Sequence, residues 1–324
     1  ETGSSLWGSS PHRPFPCASG DIALSRQARS LWGKSDGGEG ACWLPLYMHM
    51  LDSAGIAGCL WDKWLPEGTR TLFVRALGGD PCCARKLACF IAGIHDIGKA
   101  TPSFQGMPCG KGGFTLDHKP RKAGLPFRLE VTGHRRVSHP MGSYLVLLDI
   151  LVRDYGWQAA CAESIAAVVG GHHGKPPASE DDPVKIRAEV MPQVYGLGWD
   201  KGCAEAWTAV QVELVTLVAL AAGLTHEELA GFANTFVSAP VASLLTGYVI
   251  MADWLASDQT LFPLVSNGYD DEGEDDRDLR MQPSTWDDVS RQVAGAWQRA
   301  GLIPAWHEDA VPNVPIDDLY RNRF

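Results

Sequence analysis

The 324-residue chain has 45% hydrophobic and 20% charged residues, an ordinary globular balance that allows one large domain or two modest ones. Its net charge of −10 argues against a general nucleic-acid coat, and no uninterrupted apolar run of 18 or more residues marks a membrane span; Trp207–Leu224, interrupted by Gln211 and Glu213, comes closest. Nine scattered cysteines without a Cys-x-x-Cys pair suggest neither a disulfide framework nor a zinc ribbon, and they fit a reducing cytoplasm.

Residues 1–40, rich in Gly, Ser and Pro, read as a flexible segment with a frayed or appended start and no signal-peptide pattern. Pro45 suits the first turn of a helix, after which Leu46, Met50, Leu51, Ala54, Ala57, Leu60 and Trp61 recur at helical spacing with His49 among them. A second helix over Cys82–Ile97 ends at Gly98 and Pro102. Residues 106–137 contain six Gly and three Pro, which predicts a long loop. Its stretch Lys111–Arg136 carries seven basic residues, Arg135 and Arg136 among them, and is either a solvated or a phosphate-facing loop.

Ser138-His139-Pro140 opens the next helix, whose apolar side runs through Tyr144, Leu147, Leu148 and Leu151. Ala159–Val169 predicts another, stopping at Gly170-Gly171-His172-His173-Gly174. A segment with little periodicity reaches about Lys201. Ala204–Leu224 follows as a long apolar helix, and Thr225-x-x-Glu228 makes a capping box for another. Val241–Ser257 then delivers Asp253; the acidic run Asp270–Asp278 reads as a solvated loop, and Ser284–Ala300 is the last helix, closed by Gly301. No stretch alternates cleanly enough for a strand. The expectation is an all-α domain of about eight helices.

The chemistry centres on Phe90-Ile-Ala-Gly-Ile-His95-Asp96-Ile-Gly98-Lys99-Ala-Thr-Pro-Ser-Phe-Gln105. An isolated His-Asp dipeptide is more often a surface feature, and a lone His49 more often a core residue. However, His49, His95, Asp96, His139, His172, His173 and Asp253 all fall in helices or at helix ends, where a bundle can aim them at one place. Imidazole and carboxylate suit Fe, Mn, Co, Ni or Zn, and a carboxylate can bridge two ions. Seven ligands exceed one tetrahedral ion and suit two octahedral ones sharing Asp96.

His-Asp-Ile-Gly-Lys-Ala-Thr-Pro-Ser-Phe-Gln, Gly171-His-His-Gly174 and Ala252-Asp-Trp-Leu-Ala-Ser257 resemble the HD phosphohydrolase superfamily. More narrowly, they resemble the HD nuclease domain of the CRISPR-associated nuclease-helicase of type I systems. The resemblance covers about Leu44 to Ser257 and returns at Ile316–Phe324. It implies an HD helical bundle at 41–303 with long irregular loops, and a linker at 304–324 toward a helicase part. It further implies that His49, His95 and Asp253 hold one divalent ion, that His139, His172 and His173 hold the other, and that Asp96 bridges. His134 and His118 are alternatives to His139.

In the same resemblance Asp96 and Lys99 are catalytic and Lys99 and Ser257 meet the phosphate; Arg135 and Arg136, in the basic stretch, are further substrate-binding candidates. The implied cofactors are two ions of Fe, Mn, Co or Ni, with Mg admissible, and ATP only for the helicase part. The implied partners are single-stranded DNA, a Cascade-type surveillance complex and the helicase domain of the same protein, with no membrane. Trp254, Phe104 and Phe114 are candidates for stacking on bases. Competing readings are a nucleotide phosphohydrolase, a cyclic-dinucleotide phosphodiesterase (whose Gly-Tyr-Pro signature is missing here) and a non-catalytic docking module.

Overall fold

The computed structural model describes residues 15, 18–36, 42–109, 115–126, 137–175, 191, 194–196, 202–266 and 280–302. Its elements in chain order are α1 (Arg26–Ser30), β1 (Trp32–Ser35), β2 (Cys42–Pro45), α2 (Leu46–Lys63), α3 (Glu67–Ala76) and α4 (Pro81–Gly93), then a 3-10 turn (Ile97–Lys99). Next come α5 (Pro102–Gln105), α6 (His118–Lys122), α7 (His139–Tyr155), α8 (Ala159–Gly170), α9 (Cys203–Ala222), α10 (His226–Gly231), α11 (Ala239–Ser257), β3 (Val265–Ser266) and α12 (Trp286–Ala300).

The architecture is a helical bundle around α2. Pro45 presets the entry backbone, and the Leu-Met-Ala-Ile sequence that follows carries no breaker strong enough to interrupt it. Every residue from Leu46 to Trp61 is buried, because α4, α9, α11 and α12 surround the helix on all sides. Both α9 and α11 are long and apolar enough to cross a membrane by length and composition; each packs here against α2 and α4 within the bundle. The capping box at Thr225 and Glu228 forms as its spacing predicts.

Two expectations are corrected. A three-stranded antiparallel sheet, ordered β1-β2-β3, lies beside the bundle, pairing Lys34 with Leu44 and Cys42 with Ser266. The stretch expected to be flexible is also folded in part: Leu31 and Trp32 are buried, and α1 and β1 lie within it. Of the long-loop region, α6 and a bridge between Pro108 and Thr115 are described. Arg135, Arg136, Phe114, His134, most of 176–201, the acidic run 270–278 and the linker 304–324 lie outside the described residues.

Gly98 sets the distance between the motif and α7. A Cβ built there would stand 2.0 Å from the His139 carbonyl oxygen and 2.3 Å from the Ser143 nitrogen, so only glycine lets the 3-10 turn lie against the first turn of α7. The Gly98 N–H donates to Ser143 Oγ at 2.9 Å across that contact. Gln105 locks the other side. Its amide donates to the carbonyls of Trp32 and Lys99, both at 2.9 Å, and its oxygen accepts from the Trp32 N–H at 3.1 Å. The Thr-Pro-Ser-Phe-Gln extension is therefore scaffold: it ties β1 to the His-Asp turn.

Candidate metal centre

Helix α4 starts with Asp80 capping the Cys83 N–H at 2.7 Å and ends just before His95 and Asp96. The imidazole of His95 is fully buried, and its Nδ1 lies 2.7 Å from the Ala92 carbonyl. A carbonyl only accepts, so Nδ1 carries the proton and Nε2 faces the site. His172, just past the end of α8, repeats the device with Nδ1 2.6 Å from the Val169 carbonyl. Two helix ends thus aim two imidazoles by the same i−3 contact.

Asp96 lies between two sets of histidines. Its Oδ2 is 3.1 Å from His49 Nε2 and 3.5 Å from His95 Nε2, whereas Oδ1 is 3.6 Å from both His139 Nε2 and His172 Nε2. Asp253 closes the first set, with Oδ1 3.2 Å from His49 Nε2 and 3.5 Å from His95 Nε2. In the second set His139 Nε2 and His173 Nε2 stand 3.2 Å apart. Ligand atoms come within 4.8 Å of one another in the groups His49-His95-Asp253, His139-His172-His173 and His95-Asp96-His172, none of which includes His118.

All seven residues expected as ligands are therefore brought to one place. Trp254 is exposed on α11, but Phe104 is buried against Trp32, 4.4 Å between ring centroids, and belongs to the core rather than to a stacking surface.

Two lysines and one serine contact the carboxylates of the cluster. Lys99 Nζ sits 2.8 Å from Asp96 Oδ2 and donates to the Gly33 carbonyl at 3.0 Å. The Ser257 hydroxyl donates to Asp253 Oδ1 at 2.7 Å. Lys34 Nζ donates to Ser257 Oγ and lies 3.8 Å from Asp253 Oδ1. Lys34 is a site residue that sequence reasoning missed, since a lysine in Trp-Gly-Lys-Ser carries no periodic signal.

Protonation differs across the site. Burial would lower the pKa of His95, yet the Asp96 and Asp253 carboxylates raise it to about 9. Burial likewise opposes ionisation of Asp96, but Lys99 and His95 hold its carboxyl well below the usual range. Asp253 is also held low, by His49 and His95 against the effect of burial. On the other side burial prevails. It brings His139 down to about 3, opposed by Asp96 and helped by Lys99, and it brings His172 down to about 4, helped by His95.

The residues fit a divalent-metal centre on a further ground. Among the described residues, His49 Nδ1 and Nε2, His95 Nε2, His172 Nε2 and Asp96 Oδ1 are buried without a hydrogen-bond partner. Each such atom costs about 1–3 kcal/mol unless compensated. Of these, the Nε2 atoms of His49, His95 and His172 and Oδ1 of Asp96 gather at the meeting point of five imidazoles and two carboxylates, and such a cluster of acceptors matches what cations require.

Residues 32–262 match the family described as Cas3, HD domain. The chain is 28% identical over 292 residues to the CRISPR-associated nuclease/helicase Cas3 of Streptococcus thermophilus, covering 87% of this chain and 28% of that protein. It is 31% identical over 243 residues to the CRISPR-associated endonuclease/helicase Cas3 of Thermus thermophilus, covering 75% of this chain and 23% of that protein. The chain thus spans about a quarter of the length of these relatives.

Among solved structures, a chain of a CRISPR RNA-guided surveillance complex, pre-nicking, matches 88% of this chain and 29% of its own length at TM-score 0.56 and 25% identity. The Thermus thermophilus Cas3 HD domain in the presence of Ni2+ shares the fold at TM-score 0.50 and 24% identity, covering 86% of this chain and 92% of that one.

Proposed function

The chain belongs to the Cas3 HD-domain family, and from that premise we propose that it is a two-metal nuclease that hydrolyses phosphodiester bonds of single-stranded DNA in CRISPR type I interference. One observation carries the two-ion reading: the two oxygens of Asp96 face different histidine sets. Asp96 would bridge, His49, His95 and Asp253 would complete one ion, and His139, His172 and His173 the other. Divalent ions held so would activate a water and neutralise charge on the attacking and leaving oxygens.

The rest is done by the chain itself. The Ala92 and Val169 carbonyls fix the tautomers of His95 and His172, Lys99 balances the charge on Asp96, and Ser257 orients Asp253. The names of the relatives support the CRISPR setting, and the similarity to a surveillance-complex chain supports docking on such a complex. The helicase half of those names has no counterpart motif here, because Gly-x-x-x-x-Gly-Lys-Ser/Thr does not occur in the sequence, so no ATP requirement is expected.

The test is metal analysis of the protein combined with digestion of single-stranded and duplex DNA, with Mn, Co, Ni, Fe or Mg and without ATP. Two ions per chain and ATP-independent cutting of the single strand are expected. Turnover confined to free nucleotides or cyclic dinucleotides would replace the nuclease reading, and absence of any hydrolysis would favour a docking module.

A further inference from the structure

Two ammonium groups flank the cluster, and they are held differently. Lys99 is buried and anchored at both Asp96 and the Gly33 carbonyl. Lys34 springs from β1 at the rim. Its backbone is fixed, because Gln105 clamps Trp32 and the ladder pairs Lys34 with Leu44. Its side chain is 24% exposed against 9% for Lys99, and its ammonium rests on Ser257 and near Asp253 rather than on a main-chain carbonyl.

The resting partner of Lys34 is thus a carboxylate that the proposed function assigns to an ion. Once Asp253 is ligated, its charge is neutralised by the cation, and attraction to Lys34 gives way to repulsion from the ion. A flexible ammonium with three donors, tethered at the rim and deprived of its counter-charge, is then suited to an incoming anion. In a nuclease that anion is a phosphate of the bound strand.

We propose that Lys34 takes a backbone phosphate of the single-stranded DNA beside the His49-His95-Asp253 set, while Lys99 stays buried and anchored at the Gly33 carbonyl. This rests on the nuclease reading and reverses the sequence expectation for Lys99.

The experiment measures binding of a fluorescein-labelled oligo(dT) in calcium, with a gel check that the strand stays intact, for wild type, Lys34→Met and Lys34→Arg. Lys34→Met should weaken binding ~10-fold and lower the slope of log Kd against log salt by about 0.7, the value for one contact to a single strand. Lys34→Arg should stay within about threefold of wild type, since it keeps the charge. Bound manganese and the thermal midpoint should match wild type in both.

Unchanged binding by Lys34→Met overturns the proposal, as does loss of manganese along with affinity, which would mean that Lys34 acts through Asp253. Should Lys34→Met not fold, acetylation footprinting of wild-type protein decides: oligo(dT) must protect Lys34 from the amine reagent, and no protection overturns the assignment. Wild-type protein that neither binds nor cuts the oligonucleotide brings down the nuclease reading itself, a result distinct from any specific to Lys34.

Discussion

The two histidine sets on either side of Asp96 are built on opposite plans. His49 and His95 are wholly buried, share Asp253 as a second carboxylate, and are enclosed by α2, α4 and α11. His139 and His173 sit at a helix start and a loop, with His173 exposed, and among the described residues this set meets a carboxylate only through Asp96 Oδ1. The first set concentrates negative charge around two wholly buried imidazoles, whereas in the second burial keeps His139 and His172 neutral and His173 is exposed. A cation gains more Coulomb stabilisation in the first and exchanges ligands more readily in the second. The first set is the anchor and the second the more open face.

Removing the group common to both should have the largest effect. Asp96→Ala is expected to lose both ions and to lower cleavage by on the order of 10^3-fold or more, since two-metal chemistry fails as a unit. His49→Ala and His172→Ala sharpen the contrast: metal titration should show loss of the tighter ion in the first and of the weaker ion in the second. Equal losses in both variants would erase the distinction between anchor and open face.

Gly98→Ala comes next and strikes one side. Its Cβ would collide with the backbone of α7 at 2.0 Å, so α7 must retreat and carry His139 away from Asp96. Overpacking against backbone costs about 1–3 kcal/mol or more, and the thermal midpoint should fall by several degrees. The tighter ion should survive in that variant. Loss of both ions together would mean that the sets are not separable.

Much of this was legible before any coordinates. The residues that cluster at Asp96 announced themselves because histidine and aspartate are rare inside apolar helical runs, and because the His-Asp, His-His and Asp motifs are each local in sequence. The long helices were legible for the same reason: α2, α9 and α11 repeat their apolar positions over many turns. The sheet was not, because β1 and β2 have four residues each and β3 two, and the partners Cys42 and Ser266 are joined only by the fold. Helix α3 was hidden too, as it buries Phe73 alone and so shows no apolar stripe. The roles of Lys99 and Lys34 depend on where β1 lies, and no local pattern placed it. Sequence spacing identifies which groups gather; tertiary packing decides which of them are tied down.

The smallest expected effect is on the pH dependence of the metal-free protein, and it tests the two plans through protons alone. His95, raised to about 9, holds a proton in the folded state that an unfolded histidine, with pKa about 6.5, has already released above that value. Its contribution to stability is therefore complete below pH ~6.5 and is lost as pH rises toward 9. His139 and His172, lowered to about 3 and about 4, behave oppositely. Between those values and pH ~6.5 the unfolded chain binds protons that the folded chain refuses, so stability rises with pH over that range. The low carboxyls of Asp96 and Asp253 add stability above pH ~4, in the same direction as these two histidines. In EDTA the thermal midpoint should thus peak near pH ~6.5 and decline on both sides.

Filling the site changes the alkaline limb specifically. A cation at His95 Nε2 displaces its proton, so manganese should remove the decline above pH ~6.5, and calorimetry in two buffers of different ionisation enthalpy should detect close to one proton released for the tighter ion. At His139 and His172, already neutral above pH ~4, the weaker ion should displace almost no proton. Equal proton release for the two ions would show that the sets differ in exposure but not in charge.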